Sequence, residues 1–173
     1  LNIRSILSSY CIEMSDGLVC LDIRSDTGKI PARLTFGLNY FHDVLGTNIN
    51  ASVFMNESYG IRKRLYLWGS AYSSLSGKNY ILISHFSKVK GIFETASLKV
   101  TLFNRQGSII TKTMDTRNAT AINICVEDWL FEAGYTLLSG EILWYTLESD
   151  CPNFTAVQLH EDASGFIGGD HSF

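Results

Sequence analysis

No stretch of this sequence approaches the roughly 18 consecutive apolar residues that a membrane-spanning helix requires, and the opening residues, LNIRSILSSYC, have neither the basic n-region nor the apolar h-region of a secretory signal. Insertion into a membrane is therefore not expected. Proline is scarce, with two residues in 173, while aromatic side chains make up 12%, a composition that excludes a disordered or low-complexity chain. A strong charge of one sign is also missing: the net charge is −3 and the pI near 5.8. The nearest approach to a basic patch is Arg62-Lys63-Arg64, which reads as a solvated strand end, so no nucleic-acid partner is expected.

Catalytic signatures of fixed spacing are lacking too. There is no G-x-S-x-G elbow, P-loop, G-x-G-x-x-G or H-E-x-x-H. Without a C-x-x-C pair, a structural zinc site is not expected. Four cysteines and four histidines scattered along the chain give a Cys–His nucleophile pair no discriminating power. Glu127-Asp128 falls where the first turn of a helix favours negative charge, so the helix dipole accounts for it. The expectation is a non-catalytic protein without a cofactor.

What the chain does contain is a repeated β grammar. In SLKVTLFNRQGSIITKT, Ser97 to Thr113, Leu98, Val100 and Leu102 alternate with Lys99, Thr101 and Phe103; Asn104-Arg105-Gln106-Gly107 then supplies a turn, and a second β-rich run follows. This reads as a central hairpin. Further strands are predicted at Leu18 to Ile23, Arg33 to Tyr40, Ala51 to Met55, Ile61 to Tyr72, Thr120 to Val126, Glu141 to Glu148, Asn153 to Leu159 and Phe166 to Phe173. Lys78 to Phe86 is continuously apolar through Tyr80-Ile81-Leu82-Ile83, the composition of a strand covered on both faces. His42 to Asn50 reads as a loop. Glu127 to Ala133 is the one helix, with Trp129, Leu130 and Ala133 at helical spacing and Gly134 at its C-terminal stop. A hydrophobic content of 46% over this length fits one domain. The fold class expected is an all-β antiparallel β-sandwich, jelly-roll or immunoglobulin-like, with one short helix near 127–133. A start at Leu1 and a stop at Phe173 suggest a processed product or a fragment of a longer chain.

Cys11, Cys20, Cys125 and Cys151 allow three pairings. If CIEMSDGLVC turns at Ser15-Asp16, Cys11 and Cys20 face each other in a disulfide; a turn at Asp16-Gly17 breaks the opposition, and four reduced buried thiols are the alternative. Sequons at Asn50, Asn56, Asn118 and Asn153 are a mild excess that N-glycosylation would explain. With the cysteines they lean toward an extracellular or virion-surface setting.

Two groups of residues are candidates for a site. Tyr66, Trp68 and Tyr72 lie on one strand and its loop, and Trp144-Tyr145 present rings to both faces of another; exposed aromatic faces flanked by polar groups suit a glycan or a protein partner. Near the C-terminus, His160, Asp162, Asp170 and His171 converge if Ala163 to Phe166 closes a hairpin, and imidazole with carboxylate is a set for a borderline divalent metal, to which His42-Asp43 adds from a loop. Gly168-Gly169-Asp170-His171-Ser172 resembles the GGDHS motif of the arginase and agmatinase family, whose histidine is a manganese ligand. The resemblance covers five residues, and that family's α/β fold and further motifs are missing here, so no ureohydrolase role is carried to His171. The ordering of expectations is then a β-sandwich recognition module for glycan or protein, a structural subunit of a virion, appendage or filament capable of forming a homo-oligomer, and a metal-dependent hydrolase or lyase.

Overall fold

A computed structural model describes residues 3–13, 26–29, 33–42, 45–54, 65–71, 77–87, 93–164 and 167–172. It is an all-β antiparallel sandwich. Helix α1 (Ile3–Ser9) precedes a hairpin of β1 (Arg33–His42) and β2 (Leu45–Phe54). Then come β3 (Leu65–Ser70), β4 (Lys78–His85), β5 (Thr95–Asn104), β6 (Gly107–Arg117), β7 (Thr120–Cys125), α2 (Val126–Glu132), β8 (Trp144–Ser149), β9 (Phe154–Glu161) and β10 (Ile167–His171). Sheet I has the strand order β3-β8-β5-β6 and sheet II the order β10-β9-β4-β7. Strand β2 runs beside β10.

The central hairpin forms as its residues dictate. Leu98, Val100 and Leu102 of β5 are fully buried, facing sheet II, because a strand places every second side chain on one face. Arg105 and Gln106 make the connection. The Asn104 side chain accepts a hydrogen bond from the Gln106 amide at 2.8 Å, and Gly107 takes φ +141, a conformation open to a residue without Cβ. A register shift between Leu102 and Phe103, which pair with Ile110 and Ser108, leaves Ile109 as a bulge.

Across the core, Ile81 and Ile83 of β4, Ile124 of β7, and Phe154 and Ala156 of β9 meet the β5 leucines and Tyr145 and Leu147 of β8. Helix α2 plugs one flank. Val126, Trp129 and Leu130 are its buried residues, Glu127 and Asp128 occupy its first turn, and Gly134 stops it at φ +64. Lys112 of β6 lies 4.8 Å from the Trp129 ring centroid and pairs with Glu132.

Several expectations are corrected. His42 and residues 45–50 are strand and not loop: β1 and β2 pair in register from Arg33–Phe54 to His42–Leu45, and ten residues of cross-strand pairing override the weak strand propensity of Gly46, Asn48 and Asn50. Strand β4 is fully covered on one face only, since Asn79, Ile81, Ile83 and His85 are buried while Tyr80, Leu82 and Ser84 are half-buried. Strand β8 starts at Trp144 and not at Glu141, because the Glu141 carboxylate is drawn into a clamp: it accepts from Asn104 Nδ2 at 2.8 Å, from the Leu138 amide at 3.1 Å and from the Tyr135 hydroxyl. Helix α1 was not anticipated. Leu18 to Ile23 and Arg62-Lys63-Arg64 lie outside the described residues.

Candidate functional site

The pairing registers define the outer face of sheet I row by row, because paired residues of antiparallel strands share a face. One row is Tyr66, Glu148, Lys99 and Thr113; the next is Trp68, Thr146, Thr101 and Thr111; the third is Ser70, Trp144, Phe103 and Ser108. Four aromatic rings thus gather on β3, β8 and β5. Tyr66 and Trp68 are 62% and 51% exposed. Trp144 and Phe103, half-buried, pack edge to face with ring centroids 5.5 Å apart. Around them lie hydroxyls, with Thr101 and Thr111 bonded across strands at 3.1 Å, and one ion pair, Lys99 Nζ to Glu148 Oε1 at 3.2 Å. This arrangement offers stacking surface next to hydrogen-bonding groups, with the pair's charges balanced against each other.

Tyr145 is a correction. It is fully buried, on the core face opposite to Trp144, where its hydroxyl bonds with Ser172 and burial pushes its phenol pKa up. It has no part in an exposed site. Tyr72 lies outside the described residues.

The predicted metal set is not assembled. His160 pairs with Gly168, and Asp170 with Gln158, so positions 160 and 170 share a sheet face, whereas position 171, paired with Val157, falls one step along on the opposite face. Asp162 is consumed in the turn, accepting from the Ser164 amide at 2.8 Å and from its hydroxyl at 2.6 Å. His42 ends β1, and Asp43 lies outside the described residues. Among the described residues no three His, Cys, Asp or Glu are grouped so as to hold a metal ion.

His160 belongs instead to a chain of hydrogen bonds that tethers α2. Glu127 accepts from the Asn79 amide at 3.0 Å and from its Nδ2 at 2.6 Å. Asn79 Oδ1 is therefore left to accept from His160 Nδ1 at 3.1 Å. A second polar group is fully inside: His85 stacks on Phe154 with centroids 4.6 Å apart, meets the Thr116 hydroxyl at 2.8 Å and lies 3.6 Å from Cys151 Sγ. Burial holds the His85 pKa below its ordinary value and pushes the Cys151 thiol up.

No protein-family model matches this chain, and no curated protein does. A solved structure described as Thermotoga maritima 1070 is similar to it at 8% sequence identity and a TM-score of 0.48, over 62% of this chain and 91% of that one. Likeness at that level carries no argument about function.

Of the predicted Cys11–Cys20 bridge, Cys11 carries a free, exposed thiol just past α1, with a positive φ of 55 in place of the expected strand, and Cys20 lies outside the described residues. Cys125 is half-buried and Cys151 buried, so the thiols are not uniformly sheltered. Of the sequons, Asn118 uses its side chain to latch a turn, accepting from the Ser87 amide at 2.7 Å and donating to the Ser87 carbonyl at 3.2 Å. Asn153 lies just before β9, Asn50 pairs with Gly37 within the β1–β2 hairpin, and Asn56 is outside the described residues. Phe103 and the threonines of the outer face were missed as site residues. The signal that finds them is the phase of β5, since whatever alternates with Leu98, Val100 and Leu102 must face outward.

Proposed function

We propose that this protein is a non-catalytic β-sandwich recognition module that binds glycan on the outer face of sheet I. The observation that carries the reading is the exposure of Tyr66 and Trp68 as alternate residues of one strand, about 6.8 Å apart along it, with Trp144 on the neighbouring strand of the same face. Large apolar rings held half in water by a sheet favour a partner that covers them. A sugar ring has an apolar C–H face to stack on an aromatic ring and a rim of hydroxyls to bond, and Thr101, Thr111 and Thr113, which are not buried, support that second requirement. The Lys99–Glu148 pair balances its own charge, which favours a neutral ligand over an acidic one.

Native electrophoresis through gels containing soluble neutral polysaccharides (hydroxyethylcellulose, xylan or galactomannan) tests this. Retardation of the wild type is expected by at least one of them. Loss of a stacked ring removes about 0.5–1.5 kcal/mol beyond its buried area, so Trp68→Ala weakens binding about tenfold. Unchanged retardation in both Trp68→Ala and Trp144→Ala, with the circular dichroism spectrum intact, removes the proposal. No retardation of the wild type, together with saturable binding of a protein on this face, transfers the face to protein recognition.

A further inference from the structure

We infer that the ligand is an extended neutral chain rather than a single sugar or a chain end, and that a recess at the far corner of the same face, at Thr95, Ser97, Asp115 and Arg117, is its second subsite. This rests on the glycan reading above. The outer face continues beyond the aromatic rows: Ser97 pairs with Asp115 and Thr95 with Arg117, each two residues from the last and so on the face of Lys99 and Thr113. All four are exposed. Together with Ala96 and Thr116 they line a recess of about 630 Å³.

The chemistry of that corner differs from the platform. It has no ring to stack on; it offers two hydroxyls, a carboxylate that accepts and a guanidinium that donates in a planar fork. Asp115 and Arg117 carry opposite charges two positions apart on β6, so the recess has no net charge. Such a set offers donor and acceptor together to the hydroxyl pairs of a neutral sugar, whereas for an anionic ligand the Asp115 carboxylate offsets the attraction of Arg117. Between Phe103 and Ser97 the β5 strand covers about 20 Å, and that interval is bridged by Lys99, Thr101, Thr111 and Thr113 on one plane. A single sugar cannot reach both ends, and a chain end would be better held in an enclosed pocket than on an open sheet.

Calorimetric titration with cello-, xylo- and manno-oligosaccharides, each as disaccharide and hexasaccharide, separates the subsites. The double variant Asp115→Ala/Arg117→Ala changes exposed side chains, so its melt is expected to match the wild type. It should weaken hexasaccharide binding about fivefold or more, the loss of hydrogen bonds to charged groups, and leave disaccharide binding unchanged. Trp68→Ala should weaken both. If the wild type binds the hexasaccharide and the double variant binds it equally well, or loses both lengths alike, the second subsite is overturned while the aromatic reading stands. If the wild type binds none of these probes, both fall.

Discussion

Gly69 sits in the middle of edge strand β3, between Trp68 and Ser70, and replacing it with alanine should cost stability even though a strand accepts alanine readily. A Cβ built there would lie 2.7 Å from Gln158 Oε1 of sheet II, 2.7 Å from the Tyr145 hydroxyl and 2.8 Å from Tyr145 Cζ. Those distances are well inside van der Waals contact. Tyr145 is the cross-strand partner of Gly69, is fully buried and is held by its bond to Ser172, so its ring has no free direction of retreat. Gln158 Oε1 is itself buried without a hydrogen-bond partner in the structure, so turning that amide is the cheaper relief. The balance places the penalty in the ordinary range for overpacking, about 1–3 kcal/mol, which for a chain of this length lowers the melting temperature by about 2–12 °C. Urea titration of Gly69→Ala beside Ser108→Ala, which alters an exposed residue of the same sheet, measures it. A loss below about 0.5 kcal/mol would mean that the two sheets are not in contact at this position and that the Gln158 amide rotates freely.

Three further outcomes are expected. Leu102→Ala removes a fully buried side chain from the centre of the sandwich and should cost about 2–5 kcal/mol in urea unfolding; a negligible loss would reverse the face assigned to β5. His85 has its folded pKa lowered from 6.5, chiefly by burial, so the unfolded chain takes up a proton first as pH falls below that value. Its contribution is complete above 6.5 and is lost on acidification; the stability of His85→Gln should therefore fall less steeply than wild type between about pH 7 and 5, and parallel slopes would refute the burial of the ring. Iodoacetamide at neutral pH should label Cys11 in the native protein while Cys125 and Cys151, both pushed up by desolvation, react mainly after unfolding; early labelling of Cys151 would place it at the surface.

What could be read from the sequence depended on how local the cause was. The β5–β6 hairpin was legible because its turn residues and its alternation lie within twenty residues of each other, and α2 because its acidic first turn and Gly134 are adjacent to its apolar stripe. The β1–β2 hairpin was not, because Asn48 and Asn50 are strand residues only by virtue of their partners Asn39 and Gly37. Alternation showed that Trp144 and Tyr145 face opposite ways, but which ring meets the core is decided by sheet II, not by β8. The same parity undoes the C-terminal metal set, since Asp170 and His171 are neighbours in sequence and therefore on opposite faces of β10. His85 was within reach: it is in phase with Ile81 and Ile83, and a polar residue on that beat is a buried one.

The central position of β4 in sheet II sets an order on how the chain acquires its structure. Ile83 pairs with Ile122 on one side and with Ala156 on the other, so neither edge of β4 is satisfied until distant parts of the chain arrive, and each arrival must first overcome loop-closure entropy. The β5–β6 hairpin has no such delay; it closes across a two-residue connection, on the microsecond scale typical of hairpins. Folding is then expected to nucleate on β5–β6, recruit β8 to complete the middle of sheet I, and close sheet II last, at the millisecond-to-second pace of sandwiches dominated by non-local pairs. Until that closure, β4 presents Tyr80 to Ile83 with both edges bare, the segment most exposed to pairing with another chain.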